Sequence, residues 1–151
     1  GLSSDEFVNK LKSSFEVTKI EKSDSRPRSI REFTLYLDGR WYRLLAKNDS
    51  LDTKDPVADL DVTILSKQVL DPLLNITDLR NDNRIDFVGG IRGLSELEKR
   101  VDSKEMKAAF ALYPVSMEQL LNIADAGEIM PPKTTWFEPK LRSGLFIHDL
   151  E

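Results

Sequence analysis

The sequence contains no cysteine and a single histidine among its 151 residues. The absence of cysteine excludes disulfides, thiol nucleophiles and the usual structural zinc sites, and a single histidine excludes a histidine-rich metal cluster. No apolar run approaches the roughly 20 residues that a membrane-spanning helix needs. We therefore predict a cytoplasmic protein without a membrane contact, in which only carboxylates are available to hold a metal ion.

The chain also has no excess of positive charge, because it contains 22 Lys and Arg residues and 26 Asp and Glu residues. The net charge of −4 provides no overall positive field for a nucleic acid backbone, so we expect no nucleic acid partner. The hydrophobic share of 40% and the charged share of 32% are those of a globular protein. A chain of this length buries about two thirds of its unfolded surface in one core. Residues 1–151 are thus expected to form a single domain.

The chain begins with Gly1 and not with an initiator methionine. A cleaved expression tag leaves such a residue in front of a natural helix start. We therefore expect a fragment of a larger protein, whose catalytic residues would lie upstream of Leu2.

Helix signals occur in four places. Ser3 with Glu6 has capping-box spacing and predicts a helix from about Ser4 to Ser14. Asp55-Pro56 precedes a second helical pattern, which Pro72 should bend or stop near Leu70. A third helix is predicted from Leu94 to Val101, and a fourth between a capping box, Ser116 with Gln119, and a stop at Gly127.

Strand signals begin with a stretch from Phe15 to Glu21. A hairpin follows, because Asp38-Gly39 separates the alternating residues Phe33, Leu35 and Leu37 from a second run that starts at Trp41. Glycine readily takes the positive φ that a type I′ turn demands.

Residues 84–115 read as strand, loop, helix and strand, with strands at Ile85–Val88 and Lys107–Tyr113. This order predicts a βαβ unit with parallel strands. The alternation at Thr135–Phe137 and Leu145–Leu150 predicts a C-terminal antiparallel pair. The expected fold is therefore α+β, with a mixed sheet of about six or seven strands and three or four helices packed on it.

The first candidate ligand site lies where the predicted strand would meet the predicted helix. Main-chain N–H groups at Gly89 and Gly90, the dipole of the following helix and the charge of Arg92 would suit an anion. The segment has neither the Lys-Ser/Thr ending of a P-loop nor the G-x-G-x-x-G spacing. A plain tight turn is therefore the favoured reading.

The second candidate is the segment 130–144, which combines prolines, hydroxyls, cations and an aromatic pair. Its candidate ligand-binding residues are Lys133, Thr134, Lys140 and Arg142. These side chains suit a phosphate or carboxylate, or a neighbouring domain. An ordinary solvated hairpin loop is the alternative.

No catalytic residue and no metal ligand is assigned. His148 is expected to be an ordinary strand residue, because nothing in the sequence supplies the partner that a general base needs. The pairs Asp59/Asp61 and Asp82/Asp86 lack EF-hand spacing and are read as a cap and a solvated turn. The aromatic residues Trp41, Trp136 and Phe137 are read as core or interface anchors.

Three blocks resemble a bacterial family catalogued as domain of unknown function 1015: residues 56–62, 84–90 and 124–141. The likeness runs from about Asp52 to the end of the chain. It implies that the chain is the C-terminal part of a longer bacterial protein. The preceding part of family members carries an Ala-Asp-Gly-His-His-Arg type segment similar to the phosphate-handling motif of the ParB and sulfiredoxin fold group, which includes nucleotide hydrolases and a free-serine kinase.

The resulting hypothesis is a non-catalytic C-terminal domain that packs against its own nucleotide- or phosphate-handling N-terminal domain. Lys133 and Arg142 would line the shared cleft, which would hold ATP or ADP, while the fragment alone holds no cofactor. The parent would then be a phosphoryl-transfer or nucleotide-using enzyme. The alternative is an oligomerisation or partner-binding module, such as a homodimer, without a ligand site. A stand-alone enzyme is the third reading.

Overall fold

A computed structural model describes residues 2–48, 51, 54–132 and 134 of the chain. Its sheet has four strands: β1 (Phe15–Ile20), β2 (Glu32–Leu37), β3 (Arg40–Ala46) and β4 (Ala108–Leu112). The strands lie in the order β1-β3-β2-β4, and every neighbouring pair is antiparallel.

The helices are α1 (Ser4–Leu11), α2 (Asp61–Leu65), α3 (Asp71–Leu74), α4 (Leu94–Asp102) and α5 (Met117–Asp125). A π-helical segment, Ser66–Leu70, joins α2 to α3, so these run on as one helical stretch and the described chain has four such stretches. The irregular segment falls where Pro72 was expected to act, because proline lacks the N–H for a regular helical bond. Asn75 then ends α3 in the left-handed conformation.

Three local signals of the sequence are confirmed, the two capping boxes and the hairpin turn. The second helix begins at Asp61 and not after Asp55-Pro56, which belong to a turn. Both capping boxes form, with Glu6 N donating to Ser3 Oγ and Gln119 N donating to Ser116 Oγ. Asp38 and Gly39 have φ values of 51° and 73°, as the type I′ turn requires. The first helix ends at Leu11 and not at Ser14. The main-chain N–H groups of residues 12–14 bond to carbonyls three positions back, which closes a tighter turn than that of an α-helix.

The predicted βαβ unit is wrong. Residues 85–88 form no strand, and β4 pairs antiparallel with β2, where a parallel partner was expected. Asp86 accepts a hydrogen bond from Phe87 N at 2.7 Å and another from Arg100 on α4, 14 residues further along the chain, and these contacts hold this short segment against the helix. The described part of the chain therefore has an α+β fold with one antiparallel sheet. It contains four strands, fewer than the six or seven predicted, and the predicted C-terminal pair lies outside the described residues.

The main core covers one face of the sheet. Alternate residues of β2, Phe33 and Leu35, pack there against Phe7 and Leu11 of α1 and against the helical stretch 61–74. The Phe15 and Phe33 rings meet edge to face at 5.6 Å.

A smaller cluster covers the opposite face, where α4 packs through Val101 onto Tyr36 and Trp41. Two polar bonds fix this helix: Tyr36 Oη donates to Asp102 at 2.9 Å, and Trp41 Nε1 donates to Glu98 at 2.9 Å. Because α4 and the helical stretch 61–74 lie on opposite faces, β2 is buried along its whole length.

Gly39→Ala should destabilise the protein by roughly 1–2 kcal/mol in urea denaturation, because an alanine at this positive φ is strained. The added Cβ would meet open space, so the loss is conformational and not steric.

Gly89→Ala is the matched control, because Gly89 has a negative φ of −62° and equally open space beside it. We expect it to leave stability unchanged or to raise it slightly. Equal losses for the two variants would contradict this account of the hairpin.

Candidate functional site

The Gly89–Gly93 turn leads into α4, as predicted, although no strand precedes it. Gly90–Arg92 forms a 3₁₀ turn, and Gly93 is the N-cap of α4 with a φ of 70° and no side-chain cap bond. A Cβ at Gly89 or Gly90 would meet no atom within 4 Å. Neither glycine is therefore required by local packing.

The electrostatics of this turn are mixed. Arg100 donates hydrogen bonds to Asp86 and Glu96, and its Nη1 lies 3.6 Å from Glu105. The Arg100 hydrogen bond is the main cause that lowers the pKa of Asp86, and the charge of Arg92 contributes. The turn therefore lies next to an ion-paired carboxylate, which makes its surroundings less favourable to an anion.

The second predicted site can be placed only in part. The hydroxyl of Thr134 donates to the Pro131 carbonyl at 2.7 Å, which closes a local turn. Lys133, Lys140 and Arg142 lie outside the described residues, as do Trp136, Phe137 and His148.

Sequence reasoning missed a cluster around Arg31, which joins the start of β2 to the turn before α2. The Arg31 guanidinium binds both carboxylate oxygens of Asp59, at 2.7 and 2.9 Å from Nη2. Its main-chain N–H donates to Asp61 Oδ1 at 2.8 Å, and its carbonyl accepts from Ala46 N at 3.0 Å. These contacts hold Arg31 at a φ of 66°, which non-glycine residues rarely adopt.

Asp61 is buried and caps no helix, so the prediction that Asp59 and Asp61 form a cap is wrong. Only 5% of the residue is exposed. The N-cap of α2 is Leu60, which makes no side-chain cap bond. Asp55 instead caps the preceding turn, by accepting from Val57 N at 2.8 Å and Ala58 N at 3.2 Å. A D-x-D pattern downstream of an arginine was the only signal, and sequence alone cannot show that the two approach.

Burial raises the pKa of Asp61 to about 6 from an ordinary 3.8, and the charge of Asp59 adds to this. The Arg31 main-chain hydrogen bond and guanidinium charge oppose the shift. The second oxygen, Oδ2, has no hydrogen bond of good geometry within the described residues, although the Tyr113 amide is close enough to lower the pKa slightly.

The carboxylates of the other pair, Asp82 and Asp86, each bond to an arginine of the same chain. Arg84 binds Asp82 and also donates to the Leu74 and Asn75 carbonyls at 3.1 and 2.6 Å, which caps the end of α3. Within the described residues no group of three or more His, Cys, Asp or Glu is arranged to hold a metal ion.

A polar cleft of about 330 Å³ lies between the turn before α2 and helix α5. Its lining residues are Lys54, Pro56, Asp59, Gln119, Asn122 and Asp125. The cleft thus connects the Arg31 cluster, through Asp59, to the polar side of α5.

Helix α5 carries exposed apolar side chains next to this cleft. Ile123 is its only fully buried residue, whereas Met117 is 69% and Leu121 is 56% exposed. Ile129, two residues beyond the Gly127 stop, is 83% exposed. We call Met117, Leu121 and Ala124 the α5 strip, because spacings of three and four residues place them on one face of the helix.

Asp61→Asn should raise stability at pH 7 by roughly 2–3 kcal/mol, because the ionised carboxylate no longer has to be buried. The sign follows from the folded-state pKa of about 6, which lies above the ordinary 3.8. The contribution of this group to stability therefore falls as the pH rises from about 4 to about 6. Urea denaturation of the variant and the parent at several pH values should show the two converging near pH 4.

Glu21→Gln is the control, because Glu21 is exposed and no described side chain pairs with it. It should leave the pH dependence unchanged. If Asp61→Asn loses stability equally at pH 4 and pH 7, the carboxylate is needed for its hydrogen bonds and the assignment of the pH effect to burial fails.

Comparison with known proteins gives a family match. The model of the family described as "Protein of unknown function (DUF1015)" matches residues 1–63. None of the helices in the described part of the chain is long and apolar enough to cross a bilayer. No curated protein and no solved structure matches the chain. The family resemblance is thus supported over residues 1–63, which share only residues 52–63 with the stretch on which it was predicted.

Proposed function

We propose that this chain is a non-catalytic domain of a longer bacterial protein and packs through α5 against a domain that handles a nucleotide or phosphate. The exposed α5 strip carries this proposal. A helix in a globular domain normally turns its apolar face to the core, yet Met117 and Leu121 point away from it. Burying each of them would contribute roughly 1–2 kcal/mol to an interface.

The attachment of α5 supports the same reading. The helix is well formed at both ends, with a complete capping box at Ser116 and a left-handed Gly127. Its fully buried contact with the rest of the domain is Ile123, which is 1% exposed. A helix that is capped at both ends, with a single deep anchor and an exposed apolar face, is suited to an interdomain contact.

The phosphate-handling part of the proposal derives from the family resemblance. Ligands often lie between domains, so a cleft in the longer protein would hold ATP or ADP. This chain would contribute Lys133, Thr134, Lys140 and Arg142, and from the turn before α4 it would contribute Gly89, Gly90 and Arg92. The open backbone at Gly89 and Gly90 is compatible with the close approach of a ligand or a partner.

The alternative function is an oligomerisation module. The observation that favours it is β4, whose five residues are uncharged. In the described part of the chain β4 pairs along one edge only, with β2. An uncharged edge strand can pair with a copy of itself.

Leu121→Gln should have little effect on the stability of the 151-residue chain but should lower the stability of the longer protein. Glutamine retains good helix propensity, and an exposed substitution changes stability by less than about 0.5 kcal/mol. In the longer protein the loss of a buried interface anchor should cost more than about 1 kcal/mol. Thermal unfolding of both forms measures this difference.

Ile123→Ala is the contrasting variant, because removing this buried side chain should cost roughly 2–5 kcal/mol in both forms. If Leu121→Gln changes the two forms equally, α5 is not the interdomain contact. A dimer of the 151-residue chain that persists in Leu121→Gln, seen by light scattering, would favour the β4 alternative.

Lys133→Ala and Arg142→Ala in the longer protein should each weaken the binding of ATP, ADP or inorganic phosphate, with folding intact by circular dichroism. Loss of one charge-assisted contact corresponds to roughly tenfold in affinity. Lys19→Ala, an exposed strand residue, is the control. Unchanged calorimetric titrations for both variants would remove the phosphate part of the proposal and leave the packing part standing.

A further inference from the structure

One edge of the α5 strip is acidic. Glu118 and Asp125 are seven residues apart, which is close to two helical turns, so they lie on the same edge of the strip. Glu128 follows in the turn after the helix, and all three residues are exposed. No described cation forms an ion pair with any of these three carboxylates.

The position of Asp125 strengthens the local negative field. Asp125 is the last residue of α5, where the negative end of the helix dipole lies, and the last turn contains no basic residue. Such a position favours a cation, and the helix supplies none. A cation from another molecule or domain would satisfy both the carboxylate and the dipole.

The polar cleft begins at this same acidic edge. Asp125 and Asn122 form one wall of the cleft, and Asp59 lies on the other side. Asp59 is already paired with Arg31 at 2.7 Å. Lys54 also lines the cleft, but none of the described ion pairs joins it to Asp125, which lies directly beside the exposed strip.

We propose that the α5 strip and its acidic edge dock a cationic polypeptide segment, whose apolar side chains cover Met117 and Leu121 while its Lys or Arg side chains pair with Glu118 and Asp125. This inference rests on the proposed packing function and names the chemistry of the partner surface. Apolar contact at the centre and opposite charge at the rim are the usual arrangement of a protein interface.

The charge pattern disfavours the other occupants. A two-fold interface uses the same surface on both copies, so self-association through the strip would bring the carboxylates of both copies together. Nucleic acid phosphates and anionic lipid surfaces would be repelled by the same edge. A basic, amphipathic polypeptide is the occupant that satisfies both the strip and its rim.

The test uses the 151-residue chain and a synthetic helical peptide of leucine and lysine, with leucines at every third and fourth position. Titration followed by ¹⁵N NMR should shift amides of α5 and of the cleft. The double variant Glu118→Lys/Asp125→Lys should bind at least about tenfold more weakly, since each reversal removes an attraction and adds a repulsion. Added salt should weaken binding to the parent chain.

The control variant is Glu16→Lys/Glu21→Lys, which changes the net charge equally at two exposed sites distant in sequence from α5. It should alter binding less than about twofold if the effect is local and not one of net charge. A leucine and glutamate peptide of the same pattern should not bind. Leu121→Gln should weaken binding of the lysine peptide without changing its salt dependence.

The inference is overturned if the two charge-reversed variants lose equal affinity for the lysine peptide, or if the glutamate peptide binds as well as the lysine peptide. It is also overturned if the shifted amides lie outside α5 and the cleft, or if the chain forms a dimer that Leu121→Gln dissociates. These outcomes are separable from failure of the proposed function. If the longer protein shows the Leu121→Gln effect while the lysine peptide does not bind, the packing role stands and the cationic partner is wrong.

Discussion

The burial of β2 on both faces is the constraint on which the rest of this structure depends. Its odd-numbered residues from Phe33 to Leu37 enter the main core, so Glu32, Thr34 and Tyr36 must face the opposite side. Buried polar groups require partners. Thr34 Oγ1 therefore donates to the Ser25 carbonyl at 2.6 Å, and Arg43 lies 2.8 Å from Glu32 in an ion pair whose angles fall outside hydrogen-bond geometry.

These partners explain the placement of elements that otherwise have little in common. The loop before β2 folds back over the sheet because Thr34 and Arg43 bond to it, Arg43 through the Asp24 carbonyl at 2.9 Å. Helix α4 lies where Tyr36 and Trp41 require acceptors. Helix α5 takes no part in this network among the described contacts. Its exposed strip is thus a surface that the interior of the domain does not need.

The sequence predicts what short-range chemistry decides. The Asp38-Gly39 hairpin and both capping boxes depend on residues within four positions of one another, and each forms as expected. The βαβ unit failed because periodicity does not distinguish a short buried strand from a loop held by side chains, and the Asp86–Arg100 bond spans 14 residues. Nothing in residues 84–115 indicated that β4 pairs with β2.

The candidate site was less predictable than the fold for the same reason. Arg31 and Asp59 are 28 positions apart, and the sequence does not show that they come together. It therefore does not show that Asp61, which lies beside them, is buried. The α5 strip could be read as apolar from the sequence, but its exposure depends on which side of the helix Ile123 anchors. Gly89, Gly90 and Arg92 lie in one turn because they are close together in the chain.

The contact between Trp41 and Glu98 has a practical consequence. Trp41 is 4% exposed and its indole N–H donates to Glu98 of α4, while Lys22 donates to the other oxygen of the same carboxylate at 2.6 Å. Indole fluorescence responds to solvent and to nearby charge. With Trp136 replaced by phenylalanine, the emission of Trp41 becomes an intrinsic reporter of whether α4 remains seated on the sheet, and it can follow the detachment of that helix without any added label.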